Sequence, residues 1–91
     1  MRVRWTPAAA ADFEDIYEYV QGHLPHLTKH TILTIYHNIQ SLKRSPYMGR
    51  PGREEGTREL VLARLPYIVI YRIKDELVEV LQIRHGARQR F

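Results

Sequence analysis

Residues 57–84, TRELVLARLPYIVIYRIKDELVEVLQIR, decide the fold of this chain. The middle run, residues 67–73, is rich in β-branched and aromatic residues, which is typical of a central β-strand. Turn-type residues lie on both sides of this run, at positions 65–66 and 74–76. The stretch therefore predicts three antiparallel strands joined by two tight turns.

The register of these strands follows if positions 65–66 and 75–76 form two-residue turns. Leu60 then lies opposite Tyr71, Tyr71 opposite Val80, and Ile68 opposite Ile83. Because successive side chains alternate between faces, one face carries Leu60, Leu62, Tyr67, Val69, Tyr71, Ile73, Val78 and Val80. The other face carries Val61, Ala63, Ile68, Ile70, Leu81 and Ile83. On this second face Glu59, Arg72 and Glu79 fall side by side, and we expect them to form a structural ion network.

The first half of the chain predicts a short strand and two helices. Residues 2–5 alternate polar and apolar side chains, as a strand does. Thr6 can cap the helix that follows, and Pro7 suits the first helical position. This helix should end at residues 22–25, GHLP, and a second helix should run over about residues 27–44. Their expected buried stripes are Ala9, Phe13, Ile16, Tyr17 and Val20, and Ile32, Ile35, Tyr36, Ile39 and Leu42.

Together these elements predict an α+β fold in a single domain, residues 1–91. Its order is β-α-α-β-β-β: a short N-terminal strand, an antiparallel helical hairpin and a three-stranded antiparallel β-meander. Residues 45–56, rich in Pro, Gly and Arg, form its one long loop. Two helices can cover only one face of such a sheet, and the bulkier face with Leu60, Leu62, Val69 and Tyr71 is the expected core. The second face would then be an exposed apolar patch that needs a binding partner.

Composition narrows the class of protein. The chain has no cysteine, which excludes a disulfide framework, a thiol nucleophile and a Cys-type zinc site. No apolar run approaches the roughly 20 residues that span a bilayer, so we expect a soluble, cytoplasmic protein with no membrane contact. The net charge is +4, and cations gather after residue 43 while the first helix is acidic. Such clustering favours an anionic partner, although a solvated basic surface would have the same composition.

Several segments, in order, resemble those of a known family. They are WTPAAAADFEDIYEYV from Trp5, SPYMGRPG from Ser45, GTRELV from Gly56, PYIVIYRI from Pro66 and IRHGAR from Ile83. The chain resembles the RelE/ParE superfamily of toxins from type II toxin–antitoxin modules, over essentially its whole length. The resemblance implies a helical hairpin packed on an antiparallel sheet. It also implies a cognate antitoxin whose flexible segment folds on the toxin to give a toxin–antitoxin hetero-oligomer.

The resemblance also implies one of two targets. RelE-like members cut mRNA in the ribosome with Lys and Arg side chains on the concave sheet face, and ParE-like members lack these side chains and poison DNA gyrase. Ile68 stands where the nucleases carry a phosphate-binding Arg, and Glu59 and Val61 stand where they carry Lys. A carboxylate and two aliphatic side chains cannot stabilise a developing phosphate charge. The departures favour the ParE-like branch and gyrase inhibition, with no cofactor and no catalysis.

The candidate site residues follow from these two readings. We expect Arg84, His85, Arg88 and Arg90 to bind the target, and Val61, Ile68, Ile70, Leu81 and Ile83 to bind the antitoxin. If the chain is instead a ribosome-dependent mRNA endonuclease, His85 and Arg88 are the catalytic candidates, as general base and phosphate ligand.

Two further readings of the sequence stay open. A basic protein-binding module without toxicity is the third function that the chain could have. Four histidines, His23, His26, His30 and His37, raise the idea of a metal site, but they are better explained as solvated helix residues, and no metal is expected.

Overall fold

A computed structural model describes residues 1–86. It contains strand β1 (Arg2–Trp5), helix α1 (Pro7–His23), helix α2 (Thr28–Gln40) and strands β2 (Arg50–Pro51), β3 (Arg58–Val61), β4 (Tyr67–Lys74) and β5 (Leu77–His85). Short 3₁₀ turns at Pro25–Leu27 and Ser41–Lys43 flank α2. The strands form one sheet in the order β1-β5-β4-β3-β2, in which β1 runs parallel to β5 and every other pair is antiparallel. The predicted α+β order is confirmed, and β2 adds a two-residue strand inside the predicted long loop.

The helical hairpin covers the face of the sheet that the sequence assigns to the core. Tyr71, Val69, Val78 and Val80 have no exposed surface, and Leu60, Leu62 and Tyr67 are buried beside them. Ala9, Ile16 and Val20 of α1 and Ile35, Ile39 and Leu42 of the second helical segment pack on this layer. Thr6 caps α1 as expected, since its Oγ1 accepts a hydrogen bond from the backbone N–H of Ala9 at 3.2 Å.

The prediction that Tyr17 and Tyr36 belong to the core is wrong. Tyr17 and Tyr36 are 46% and 40% exposed, because they lie at the margin of the helical stripes, where the ring points away from the sheet. Tyr19 is also exposed. Threonines take the place of aromatic rings on the buried side of α2, where Thr28 and Thr31 are among its buried residues.

The β3–β4 register differs from the predicted one by two residues. Leu60 lies opposite Val69, not Tyr71, and Glu59 lies opposite Ile70. The cause is a longer turn: Leu65 donates a backbone hydrogen bond to Leu62 over a left-handed Arg64, so the connection spans residues 63–66. A shift of two keeps every side chain on its predicted face, which is why the core face survives the error.

The β4–β5 hairpin begins in the predicted register and then departs from it. Asp75 and Glu76 have positive φ angles of 55° and 60°, as a two-residue type I′ turn requires, and Ile73 lies opposite Val78. An irregularity between Ile70 and Tyr71 leaves Leu81 as an extra residue in β5. From that point the faces exchange, so Ile83 lies opposite Val69 and enters the core.

One buried hydroxyl holds the segment between α2 and β2 on the edge of the sheet. The Tyr71 Oη atom donates to the carbonyl of Pro46 at 2.6 Å and accepts from the backbone N–H of Gly49 at 2.9 Å. A Cβ atom at position 49 would lie 2.7 Å from that hydroxyl oxygen, so the close approach requires glycine. Arg58 adds hydrogen bonds to the carbonyls of Gly49 and Tyr47 and stacks over the Tyr47 ring.

The substitution Tyr71→Phe should therefore lower the free energy of unfolding by about 2 kcal/mol, because it leaves two backbone groups without their hydrogen-bond partner. Tyr47→Phe is the matched control, since the Tyr47 ring is 65% exposed and should change the stability little. Urea denaturation of both variants measures the effect. Equal stability of the two variants would contradict the role assigned to the Tyr71 hydroxyl.

Candidate functional site

The outer face of the sheet, on the side away from the helices, carries two clusters of ion-paired side chains within residues 1–86. Glu59 of β3 is its first centre, with a side chain only 9% exposed. Arg50 of β2 donates to Glu59 Oε1 from Nη2 at 2.9 Å and from Nε at 3.1 Å. Arg84 of β5 reaches Glu59 Oε2 at 3.3 Å. Because Arg84 lies opposite Ile68 and Glu59 opposite Ile70, the Arg84 side chain crosses β4 diagonally.

Glu79 of β5 is the second centre, and its side chain is 8% exposed. The Arg72 Nε atom donates to Glu79 Oε1 at 2.7 Å from β4. Arg4 of β1 binds the other oxygen, Oε2, from the opposite side. Each of these two buried carboxylates thus lies between two arginines that come from different strands.

The predicted network of Glu59, Arg72 and Glu79 is therefore wrong as a single unit. Arg72 and Glu79 do pair, but Glu59 belongs to the separate cluster with Arg50 and Arg84. The reason is the two-residue shift of β3 against β4, which moves Glu59 from Arg72 to a position opposite Ile70.

Both carboxylates carry their charge at neutral pH. For Glu59, burial alone would raise the pKa, but the hydrogen bond and charge of Arg50, a backbone bond involving Arg53 and the charge of Arg84 together hold the pKa below its ordinary value. The pKa of Glu79 is lowered by its hydrogen bonds to Arg72 and Arg4. Arg50 and Arg84 are consequently paired with a negative charge on β3 at neutral pH.

The residues expected to bind an antitoxin have three different environments. Val61 is 51% exposed on the outer face, and Leu81 is half-buried beside the cleft near Glu59. Ile68 and Ile70 are on the predicted face but are 7% and 9% exposed. The expectation of a broad exposed apolar patch is therefore wrong, because Ile70 lines a cleft together with Glu59 and Arg84, and the Ile68 side chain lies against Gly86. Ile83 is the clearest correction, since the bulge turns it into the core.

The residues expected to bind the target are likewise separated. Arg84 lies on the outer face, whereas His85, one residue further along β5, lies on the helical side next to α1. Arg88 and Arg90 lie outside the described residues. The structure therefore does not bring His85 and Arg84 together in one site.

His85 lines a cleft of about 220 Å³ between α1 and the end of β5 that the sequence did not indicate. Its ring contacts Tyr67 edge-on at 5.4 Å between centroids, and its Nδ1 atom is buried with no hydrogen-bond partner among the described residues. Burial, with a smaller contribution from Tyr19, raises the pKa of Tyr67. Asp12 closes the cleft by accepting a hydrogen bond from the backbone N–H of Ile83 at 2.9 Å. The spacing of positions 12, 16 and 19 on α1 was the available signal for this side of the helix.

Two kinds of feature are absent from the part of the chain that the structure describes. Residues 1–86 hold no group of three or more His, Cys, Asp or Glu side chains that could bind a metal ion. No helix among them has the length and apolar character needed to cross a membrane.

Comparison with known proteins identifies the family. A model of the family described as the ParE toxin of the type II toxin–antitoxin system parDE matches residues 3–90. The chain belongs to the ParE toxin family. It is thus a toxin of a type II toxin–antitoxin system, within the RelE/ParE superfamily that the sequence resembles.

Individual relatives agree with this assignment. The chain is 39% identical to Y4kP of Sinorhizobium fredii, whose name marks it as a toxin candidate, over 97% of this chain and 91% of that one. It is 34% identical to the toxin RelE2 of Caulobacter vibrioides over 96% of this chain and 97% of RelE2.

Solved structures of toxin–antitoxin systems have the same fold. The chromosomal ParDE system of P. aeruginosa superposes with a TM-score of 0.85 at 28% identity, over 93% of this chain and 95% of the other. The RelBE2 toxin–antitoxin complex of Mycobacterium tuberculosis gives a TM-score of 0.66 at 27% identity, over 92% and 95% of the two chains.

The Glu59 cluster gives this toxin a defined pH dependence. Because the pKa of Glu59 is lower in the folded chain, its stabilising contribution is present above the unfolded pKa and is lost as the pH falls through the folded pKa. Glu59→Gln should lower the free energy of unfolding by about 1 kcal/mol at neutral pH. The difference from the wild type should narrow as the pH falls below 4.5.

Urea denaturation between neutral pH and about pH 3 measures this change. Glu55→Gln, at an exposed carboxylate of the neighbouring loop, is the matched control and should leave the curve unchanged. If the loss in free energy of unfolding caused by Glu59→Gln stays constant or grows toward low pH, the lowered pKa of Glu59 is contradicted.

Proposed function

We propose that this ParE-family toxin acts by inhibiting DNA gyrase, and that a cognate antitoxin holds it inactive in a toxin–antitoxin hetero-oligomer in the cytoplasm. The observation that carries the gyrase proposal is the charge on β3 at the outer face. Glu59 is a buried, ionised carboxylate there, and it binds Arg50 and Arg84. A phosphate developing negative charge in that place would meet a carboxylate instead of free cations.

Two neighbouring positions support the same conclusion. Ile68, which stands where the related nucleases carry arginine, is buried beneath the outer face. Val61, which stands where they carry lysine, is aliphatic and exposed. Arg84 is engaged with Glu59, and His85 lies on the other side of the sheet. Within residues 1–86, a general base and an unengaged arginine do not meet on the outer face, which argues against phosphodiester cleavage there.

Cleavage of mRNA in the ribosome is the second candidate function. It is favoured by the 34% identity to the toxin RelE2 and by the fold shared with the RelBE2 complex. In that case His85 would be the general base, although its Nδ1 atom is buried against Tyr67.

Purified toxin added to a gyrase supercoiling assay should block supercoiling or cause cleaved DNA to accumulate, and added antitoxin should restore activity. Primer extension on mRNA from induced cells is the paired measurement, and it should show intact transcripts. Unaffected gyrase together with codon-positioned cuts in mRNA would overturn the proposal, and loss of those cuts in His85→Ala would assign the cleavage to this chain.

The end of β3 supports an antitoxin site at this edge of the sheet. The pairing of β2 with β3 ends at Glu59, so the backbone of Leu60 and Val61 extends beyond it. An extended antitoxin segment can add to such an edge and place an apolar side chain on Val61. Of the residues expected to bind the antitoxin, Val61 and Leu81 offer accessible apolar surface, while Ile68 lies beside Val61 on the same face and is buried, as is Ile70.

Val61→Asp should weaken antitoxin binding about tenfold or more, because it puts a charge where the partner buries apolar surface. Ala8→Asp, at an exposed position in the first turn of α1, adds the same charge far from β3 and should leave the affinity unchanged. Titration calorimetry with the protein encoded beside the toxin measures both variants. Equal affinity of the two variants would exclude the β3 edge as the antitoxin site.

A further inference from the structure

The outer face also carries a cationic surface, at the end of the sheet furthest from the β3–β4 turn. It is a cleft of about 360 Å³ lined by Arg2, Arg4, Arg72, Lys74, Asp75, Leu77 and Glu79. Four of these residues are cations and two are acids, so the cleft carries an excess positive charge of two (4 − 2). We call it the β1–β4 cleft.

The placement of the four cations is fixed by the core. On β1 the residues Val3 and Trp5 pack toward the helices, so the alternate residues Arg2 and Arg4 must point outward. On β4 the inward residues Tyr71 and Ile73 likewise send Arg72 and Lys74 outward. The register aligns these pairs across β5 in two rows, Arg4–Glu79–Arg72 and Arg2–Leu77–Lys74.

The two rows have different roles. In the first row Glu79 binds Arg4 through Nη2 and Arg72 through Nε, which positions both guanidinium groups and leaves their other nitrogens outside these two bonds. Their side chains stay 62% and 45% exposed. In the second row Arg2 and Lys74 are exposed and form no ion pair with any residue of the range 1–86. The cleft therefore combines two pre-positioned arginines with two unpaired cations.

We propose that the β1–β4 cleft binds the phosphodiester backbone of a nucleic acid. Guanidinium groups match the geometry of phosphate oxygens, and a lysine beside them adds a point charge. An amphipathic acidic peptide fits less well, because Leu77 is the one apolar side chain in the lining and is itself half-buried. The inference goes beyond gyrase inhibition and does not depend on it, since the contact is between this chain and nucleic acid alone.

The test uses the full chain and fluorescence anisotropy with a labelled duplex DNA and a labelled single-stranded RNA of equal length. Wild-type toxin should bind at least one of them, with log Kd rising linearly with log salt concentration. The double variant Arg2→Glu/Lys74→Glu should weaken that binding at least tenfold and reduce the salt slope by about 2, one for each phosphate contact removed. The nucleic acid that binds with the lower Kd, duplex DNA or single-stranded RNA, is identified as the preferred ligand of the cleft.

The matched control is Lys29→Glu/Arg64→Glu, which changes the net charge equally at exposed positions on α2 and in the β3–β4 turn. It should retain wild-type affinity within about twofold, and unchanged melting temperatures will show that both double variants are folded. Three results would overturn the proposal: no binding of wild type to either nucleic acid at low salt, an equal loss in the control variant, or equal binding to poly-glutamate of matched charge. The binding experiment contains no gyrase. If no nucleic acid binds, the proposed inhibition of gyrase is still tested separately by the supercoiling assay.

Discussion

The outer face of this sheet depends on two buried carboxylates, Glu59 and Glu79, each held between two arginines. Side chains on the face of a sheet that no helix covers need partners other than a second apolar layer. Among the described residues, charged and loop side chains line the clefts beside the buried Ile68 and Ile70. An uncompensated carboxylate at either position would be costly, because the charge would lose water without gaining a partner. The carboxylate–arginine pairs thus hold the outer face together, as apolar packing does on the helical face.

The same two clusters relate the fold to function. In the Glu59 cluster both arginines bind the carboxylate, and this pairing is the basis of the gyrase proposal. In the Glu79 cluster the carboxylate holds Arg4 and Arg72 in place, and the unpaired Arg2 and Lys74 beside them leave that end of the face cationic. The same arrangement, a carboxylate between two arginines, therefore occurs twice on this face, and the two places differ in that Arg2 and Lys74 lie beside the Glu79 cluster.

Much of the fold could be predicted from the sequence because β4 is a β-branched and aromatic run bounded by turn-type residues, and apolar and polar side chains alternate along the first part of β5. Tyr71, Val78 and Val80 reach the core as the pattern predicts, and the family segments give the correct order of elements. The site was harder to predict, because it depends on the number of residues in the β3–β4 turn and on a single extra residue. The left-handed conformation of Arg64 carries no sequence signal, since glycine or asparagine is the usual residue there. The bulge at Leu81 exchanges the faces of β5, and with it the surroundings of Ile83, Arg84 and His85.

The central claim is that Glu59 and Glu79 are ionised and bound by arginines within the folded sheet. Carboxyl ¹³C NMR titration of the selectively labelled glutamates tests it most directly, because it follows each side chain separately. Both residues should titrate below the ordinary pKa of 4.5, and the shift of Glu59 should diminish in Arg50→Met. Titration of either residue at or above 4.5 in the wild type would contradict the account of the outer face.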